Sequence, residues 1–314
     1  MIRLWFYLTL VCLNFLLFSP VKAINSNSPL AGLSTEPLTI NDTITFNLQN
    51  KKTSQIYKIF ASIPKEPPPE DGYPIIYITD ANSIFDTVRE TIRSYEKRPD
   101  NIHKNHAVLV GIGYPPDQNI LKLRTYDLTP PQNTLNPILY KTGGADYFYH
   151  FIQDDLKPLL DKHLKINHHK QAIFGHSFGG LFTIYNLIYH PDSYQIYIAA
   201  SPSLWLDPSI IDKHTQSFKS SLDVHKLHPT LSLSVGEYEQ KFPDYWQSIP
   251  QVAKIKQQLL RKQQVSRILA ACETFKKIDD LSTTCTKFEN EDHQSVIPAS
   301  IGRAVAIIFR SFAQ

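Results

Sequence analysis

One stretch near the middle of the chain constrains what the rest can be: Gln171-Ala172-Ile173-Phe174-Gly175-His176-Ser177-Phe178-Gly179-Gly180-Leu181. It opens as a short apolar run suited to a buried strand, passes a serine set among glycines, and continues into the apolar run Leu181 to Tyr189, which reads as a helix. Gly175-His176-Ser177-Phe178-Gly179 fits G-x-S-x-G, the nucleophile elbow. A serine on a sharp strand-to-helix turn holds strained backbone, and side chains two residues to either side would collide, so glycine is needed there. Such a turn lifts the Ser177 hydroxyl above the end of the sheet. It also leaves the Phe178 N–H free at a helix N-terminus, where an oxyanion can bind. G-x-S-x-G also occurs in plain Gly-Ser turns; the strand before it and the helix after it favour the elbow.

The first residues are expected to lie outside the fold. Arg3, the apolar run Leu4 to Phe18 and then Val21-Lys22-Ala23 read as a secretory signal peptide over 1–23, its apolar core short for a membrane span. Residues 24–41 read as a loose N-terminal segment and 42–314 as the domain. Export to the periplasm or the medium is the corresponding expectation, and no later apolar run suggests stable membrane insertion after cleavage. The leader removes two of the 32 basic residues and none of the 29 acidic ones, which leaves a net charge of +1. That balance speaks against a nucleic-acid partner, which needs a clustered basic face. Cys272 and Cys285 remain as an even pair in an oxidising compartment; a disulfide is the favoured reading, two separate thiols the other.

Thr43 to Leu48 and Gln55 to Ile63 alternate apolar and polar residues around Asn50-Lys51-Lys52, as in an antiparallel hairpin at a sheet edge. Pro74 to Asp80, His106 to Ile112, Tyr194 to Ala200, Pro229 to Val235 and Thr284 to Phe288 read as further strands, the apolar ones as buried parallel strands. Helices are expected from about Ile84 to Ser94, from Gly143 to Leu164, and from Pro298 to Phe312, with a helical insertion from about Tyr245 to Phe275. Tyr114 to Thr142 shows little periodicity and reads as a long loop. The alternation predicts an α/β fold: a doubly wound, mostly parallel sheet with an N-terminal antiparallel hairpin and a small helical insertion.

A serine hydroxyl is a poor nucleophile until a base takes its proton, so the elbow requires a histidine and a group to orient it. With a nucleophile elbow the partners follow in the order serine, acid, histidine, each at the C-terminal end of a strand. Of twelve histidines, His293 alone sits after the last strand and before the closing helix. His176 is expected to point away from the base position. The acid should follow the strand ending at Val235: Glu239 is preferred, because three residues past Gly236 the loop can turn back over the sheet, with Glu237 second. A second oxyanion donor is expected from the backbone of Ala81 or Asn82, after the strand at Pro74 to Asp80. No residue pattern calls for a metal or a cofactor.

Together these residues resemble the esterase D type of esterases within the α/β-hydrolases, in particular periplasmic trilactone-siderophore and ferri-bacillibactin esterases. The resemblance rests on Tyr77 to Phe85, Arg124 to Pro131, Gly143-Gly144-Ala145, the elbow, Ser201 to Trp205, Gly236 to Gln240 and His293 to Pro298. It implies an α/β-hydrolase fold and an acyl-enzyme route using Ser177, His293 and Glu239, the last through the family's G-x-x-E. A small-molecule ester would be the substrate, the ester backbone of a ferric catecholate siderophore being the leading expectation. General carboxylesterase and acyltransferase activity fit the same apparatus. The resemblance further implies that Arg124 contacts an anionic substrate, with an ion pair to Asp127 as the other reading, and that Trp205 walls the pocket. One departure stands out: relatives have Asp-Gly-Asn where this chain has Asp80-Ala81-Asn82. If that glycine takes a positive φ, Ala81 would strain the oxyanion loop, which motivates a rival class, a non-catalytic ligand-binding protein.

Overall fold

Strand-to-strand order places the site. In the computed structural model, which describes residues 40, 42–99, 106–131 and 140–313, eight strands form one sheet in the order β1-β2-β4-β3-β5-β6-β7-β8. The expected signal peptide over 1–23 and all of the 24–41 segment except Ile40 lie outside the described residues. The strands are β1 (Thr43–Gln49), β2 (Ile56–Ser62), β3 (Tyr73–Ile78), β4 (Val108–Gly113), β5 (Ile166–His176), β6 (Ile196–Ala200), β7 (Thr230–Gly236) and β8 (Ser282–Phe288). β1 pairs antiparallel with β2 and β2 with β4; every later pairing is parallel. The hairpin turn is built by Asn50, whose buried side-chain oxygen accepts the Lys52 and Thr53 N–H groups at 2.8 and 3.0 Å.

β3, β4 and β6 are buried along their whole length, because helices cover both faces. On one face α1 (Ala81–Glu96) and α9 (Val296–Phe312) pack together, with Tyr95 and Phe309 rings 5.1 Å apart. Ile84, Phe85, Val88 and Ile92 of α1 meet Ile301, Val305 and Ile308 of α9 in that layer. The other face carries the larger aromatic core, including Tyr57, Phe148, Phe151, Phe182 and Tyr197. Since β3 and β5 to β8 run parallel, their C-terminal ends share one rim of the sheet, where the loops after β3, β5, β7 and β8 gather.

Four local features differ from expectation. The stretch expected as one helix over Gly143 to Leu164 is α3 (Ala145–His150), a π-helical turn (Phe151–Leu156) and α4 (Lys157–His163). Pro158, near the start of α4, has no N–H to donate and its ring crowds the carbonyl four residues back, which widens the turn before it. The expected long loop contains α2 (Ile120–Asp127), whose N-cap Asn119 accepts the Lys122 N–H at 3.0 Å. A helix not anticipated, α6 (Ile210–His225), follows β6; it is largely polar and buries only Ile210, Ile211, Phe218 and Leu222. α1 begins at Ala81, tight against β3, rather than near Ile84.

The insertion comprises a 3₁₀ turn (Asp244–Ser248), α7 (Val252–Lys262) and α8 (Gln264–Phe275). α8 is tied to β8 by a Cys272–Cys285 disulfide that closes a sequence separation of 13. A loop of that size restricts the unfolded chain by about 3 kcal/mol. The Cys272→Ala/Cys285→Ala variant is expected to lose about that much unfolding free energy in urea titrations, with unchanged far-ultraviolet circular dichroism. An unchanged midpoint would show that the bridge adds nothing.

Candidate active site

β5 ends at His176 and α5 (Phe178–Tyr189) begins at Phe178, so Ser177 alone makes the turn, with φ 60° and ψ −115°. The Ser177 N–H donates to Ala200 O at 3.0 Å, and its carbonyl accepts the Ser203 N–H at 3.1 Å. Glycine is required because strand and helix nearly touch. A Cβ on Gly175 would stand 2.1 Å from the Gly179 carbonyl oxygen, and one on Gly179 would stand 2.2 Å from Thr79 Oγ1. Helix α5 therefore aims its first N–H groups, which have no intrahelical partner, at the rim beside Ser177.

His293, in the loop between β8 and α9, brings Nε2 to 3.0 Å from Ser177 Oγ and Nδ1 to 2.6 Å from Glu239 Oε2. Glu239 ends a 3₁₀ turn (Glu237–Glu239) directly after β7 and is 2% exposed. Besides the histidine, its carboxylate accepts Ser201 Oγ–H at 2.5 Å and the Gly236 N–H at 2.9 Å. Burial pushes its pKa up, but the His293 hydrogen bond and charge, with Ser201 and Gly236, outweigh that and hold it below the ordinary value. It is thus an ionised, fixed acceptor behind the imidazole. Glu237, the second candidate, faces outward to Lys241 at 3.1 Å, Lys287 at 3.5 Å and the Asn290 N–H at 3.2 Å.

Ser177, His176, His293, Asp80, Asn82 and Arg124 line one cavity of about 200 Å³. Across it from α5 lies the N-terminus of α1. The left-handed residue there is Asp80, with φ 55° and ψ 33°, whereas Ala81 is the first helical residue. The anticipated strain at Ala81 is therefore absent: its methyl packs into the space left by Gly111, where an added Cβ would meet it at 2.6 Å. Asn82 reaches the cavity and Ala81 does not. The Asn82 side chain is clamped to the Tyr114 backbone, Oδ1 accepting its N–H at 2.8 Å and Nδ2 donating to its carbonyl at 2.9 Å.

Arg124 lines the site, and its guanidinium pairs with Asp80 rather than with Asp127. It forms a two-pronged pair with Asp80, Nε to Oδ1 at 2.7 Å and Nη2 to Oδ2 at 2.8 Å, and lies 5.3 Å over the Phe178 ring. Asp127 points into the core instead. Burial pushes its pKa up to about 7 against the hydroxyls of Tyr57 and Tyr114, which pull it down. Trp205 does not line the cavity holding Ser177; its ring stands 6.3 Å from that of Phe178.

His176 corrects the expectation made for it. Gly175 faces α5, so strand alternation sends the next side chain to the opposite face, where the His293 loop lies. The two imidazoles are 4.6 Å apart, and burial followed by the neighbouring His293 pushes the His176 pKa down to about 3, so the ring is neutral. That alternation was available in the sequence. Ser203, 3.4 Å from Ser177 Oγ, carried no such signal.

The chain matches the family model described as "Putative esterase" over residues 51–276. It belongs to that esterase family. The esterase is 33% identical over 281 residues to ferri-bacillibactin esterase BesA of Bacillus subtilis, covering 87% of this chain and 92% of that protein. It is 30% identical to the siderophore triacetylfusarinine C esterase of Aspergillus fumigatus, over 76% of this chain and 82% of that one. Among solved structures it is similar to siderophore hydrolase EstA from Aspergillus nidulans, with TM-score 0.77, 26% identity and coverage of 89% and 99%. The BES protein from Bacillus cereus gives TM-score 0.73, 28% identity and coverage of 88% and 98%. The fold is that of the α/β-hydrolases, and the chain is an ester-hydrolysing enzyme. His293 lies beyond the matched residues of the family model, so its place rests on the geometry above.

Because Asp80 sits at the left-handed corner that opens α1, Arg124 holds that corner. Arg124→Ala is expected to cost about 2 kcal/mol of stability and to lower kcat on neutral p-nitrophenyl butyrate at least about tenfold, since it strands the Asp80 carboxylate. A residue that only contacted an anionic ligand would leave neutral-ester turnover intact.

Proposed function

We propose that this esterase works through Ser177 as nucleophile and cleaves the ester backbone of a catecholate siderophore outside the cytoplasm. The observation that carries the mechanism is the unbroken chain Ser177 Oγ, His293 Nε2, His293 Nδ1, Glu239 Oε2, at 3.0 and 2.6 Å. Ser177 Oγ–H donates to Nε2, and as the oxygen attacks the ester carbonyl the imidazole takes the proton. Glu239, ionised and held by two further donors, fixes the tautomer with Nδ1–H and stabilises the imidazolium. The N–H groups of Phe178 and Asn82, from the facing N-termini of α5 and α1, stabilise the tetrahedral oxyanion, each such donor being worth ~3 kcal/mol. His293 returns the proton to the leaving alkoxide, and water, activated by the same base, then clears the acyl group.

The substrate reading is supported by the names of the relatives, which include a ferri-bacillibactin esterase and a triacetylfusarinine C esterase. Cutting the esters that join the iron-binding arms of such a ligand separates the arms and weakens their joint grip on iron. Arg3, the apolar run to Phe18 and the small residue Ala23 support export, which would place the reaction in the periplasm or the medium. The binding-protein alternative drew on strain at Ala81, and Asp80 carries the positive φ instead.

The mature protein is expected to hydrolyse p-nitrophenyl butyrate and, with higher kcat/KM, a ferric tris-catecholate trilactone. Ser177→Ala should lower kcat by about 10⁴-fold or more, and Glu239→Gln by about 10²-fold or more, while Glu237→Gln stays within about twofold. Retained turnover in Ser177→Ala would contradict the mechanism. Equal kcat/KM on the trilactone and simple acyl esters would instead indicate a general carboxylesterase.

A further inference from the structure

Around Ser177, Arg124 is paired with Asp80, and Lys262 is a further cation within electrostatic reach of Glu239. Glu239 is hydrogen-bonded to His293, and Glu237 pairs with Lys241 and Lys287. Lys262, the last residue of α7, is half-buried and has no carboxylate partner among the described residues; its ammonium lies 4.7 Å over the Trp205 ring. Burial pushes its pKa down, the Glu239 carboxylate pulls it back up and Arg261 pushes it down again, so the ammonium lies within electrostatic reach of the Glu239 carboxylate.

Its position is set by the catalytic loops rather than by chance exposure. Two residues on, Gln264 is 3% exposed and donates through Nε2 to the carbonyls of Ser201 and Pro202 at 2.8 and 3.1 Å. Ser201 in turn donates to Glu239. Gln263, between them, takes a left-handed conformation with φ 50°, which ends α7 and turns the chain into α8. Lys262 is thereby pinned beside Trp205, and Trp205 beside Phe178, whose other neighbour is Arg124. Two neighbouring rings with a cation on each form this side of the site: Arg124, Phe178, Trp205, Lys262, with separations of 5.3, 6.3 and 4.7 Å.

We propose that Lys262, seated on Trp205, is the specificity-determining cation of this esterase and recognises an aromatic anionic group, a catecholate arm of the substrate. The inference rests on the siderophore-esterase reading and sharpens it. A catecholate offers both things this surface lacks: negative oxygens for an ammonium with no carboxylate partner, and a ring to lie against Trp205 and Phe178. Arg124, which the sequence suggested for this task, is held in a two-pronged pair with Asp80. A neutral aliphatic ester gains nothing from Lys262, so the residue separates substrates by charge.

The test measures binding apart from turnover. In a Ser177→Ala background, the full mature chain is titrated with a ferric tris-catecholate trilactone, following tryptophan fluorescence. Lys262→Met should raise Kd about tenfold, Lys262→Arg should stay within about threefold of the parent, and added salt should weaken the parent more than Lys262→Met. Thermal melts check that both variants fold. In the active enzyme, Lys262→Met should lower the ratio of kcat/KM on the trilactone to that on p-nitrophenyl butyrate about tenfold, mainly through KM. Equal Kd for the parent and Lys262→Met, or a Lys262→Arg as weak as Lys262→Met, overturns the proposal and leaves ester hydrolysis standing. Absence of any ester turnover with Lys262-dependent binding intact would instead sink the hydrolase mechanism and leave this proposal standing.

Discussion

The contact between Gly175 and Gly179 is the constraint on which the rest of the site depends. Strand β5 and helix α5 approach until no side chain fits between them, and the connecting residue is forced to φ 60°. A single β-substituted residue at either glycine would push the helix away, moving the Phe178 N–H and the Ser177 hydroxyl together. The strained turn persists because Ser177 is tied by both backbone groups, to Ala200 and to Ser203. The β6 loop is held by the same means: Ser201, itself left-handed at φ 43°, donates to Glu239 and gives its carbonyl to Gln264. Strain at Ser177 is thus shared with Glu239 and with the helical insertion.

Electrostatics follow the same economy. Both carboxylates near Ser177 have specific fixed partners: Asp80 has Arg124, and Glu239 has His293 with two neutral donors. The His293 ring is therefore oriented by an ionised carboxylate inside a low-dielectric setting, where such a contact is stronger than it would be in water. His176, held neutral by burial, fills the space beside His293 without adding a competing positive charge. Lys262, on the side of the insertion, has no carboxylate in salt-bridge contact among the described residues and lies over the Trp205 ring instead.

What could be read from the residues tracks how local each signal is. The elbow is written in adjacent glycines, and the parallel strands in unbroken apolar runs, so both were legible. His293 and Glu239 were legible through chain order and the spacing from Gly236, and the structure brings the two together with Ser177. Interactions set by tertiary packing were not. Arg124 could meet Asp80 only after β3 and α2 were placed, and nothing in Arg124 to Asp127 distinguishes that pairing from a local one. The positive φ at Asp80 was ascribed to Ala81 because glycine in relatives suggests backbone freedom; here the alanine fits because Gly111 makes room for its methyl. α2 and α6 escaped for a plainer reason, since α2 leaves Leu121 exposed and α6 is mostly polar, so neither has a strong apolar stripe.

The central claim is that Ser177, activated by His293, is the nucleophile, and covalent labelling tests it most directly. The mature protein would be treated with an alkyl fluorophosphonate, digested and mapped by mass spectrometry. The account predicts a single phosphonyl adduct, on Ser177, that forms at least about 10²-fold more slowly in His293→Ala. An adduct on another residue, or ester turnover that survives full labelling of Ser177, would contradict it.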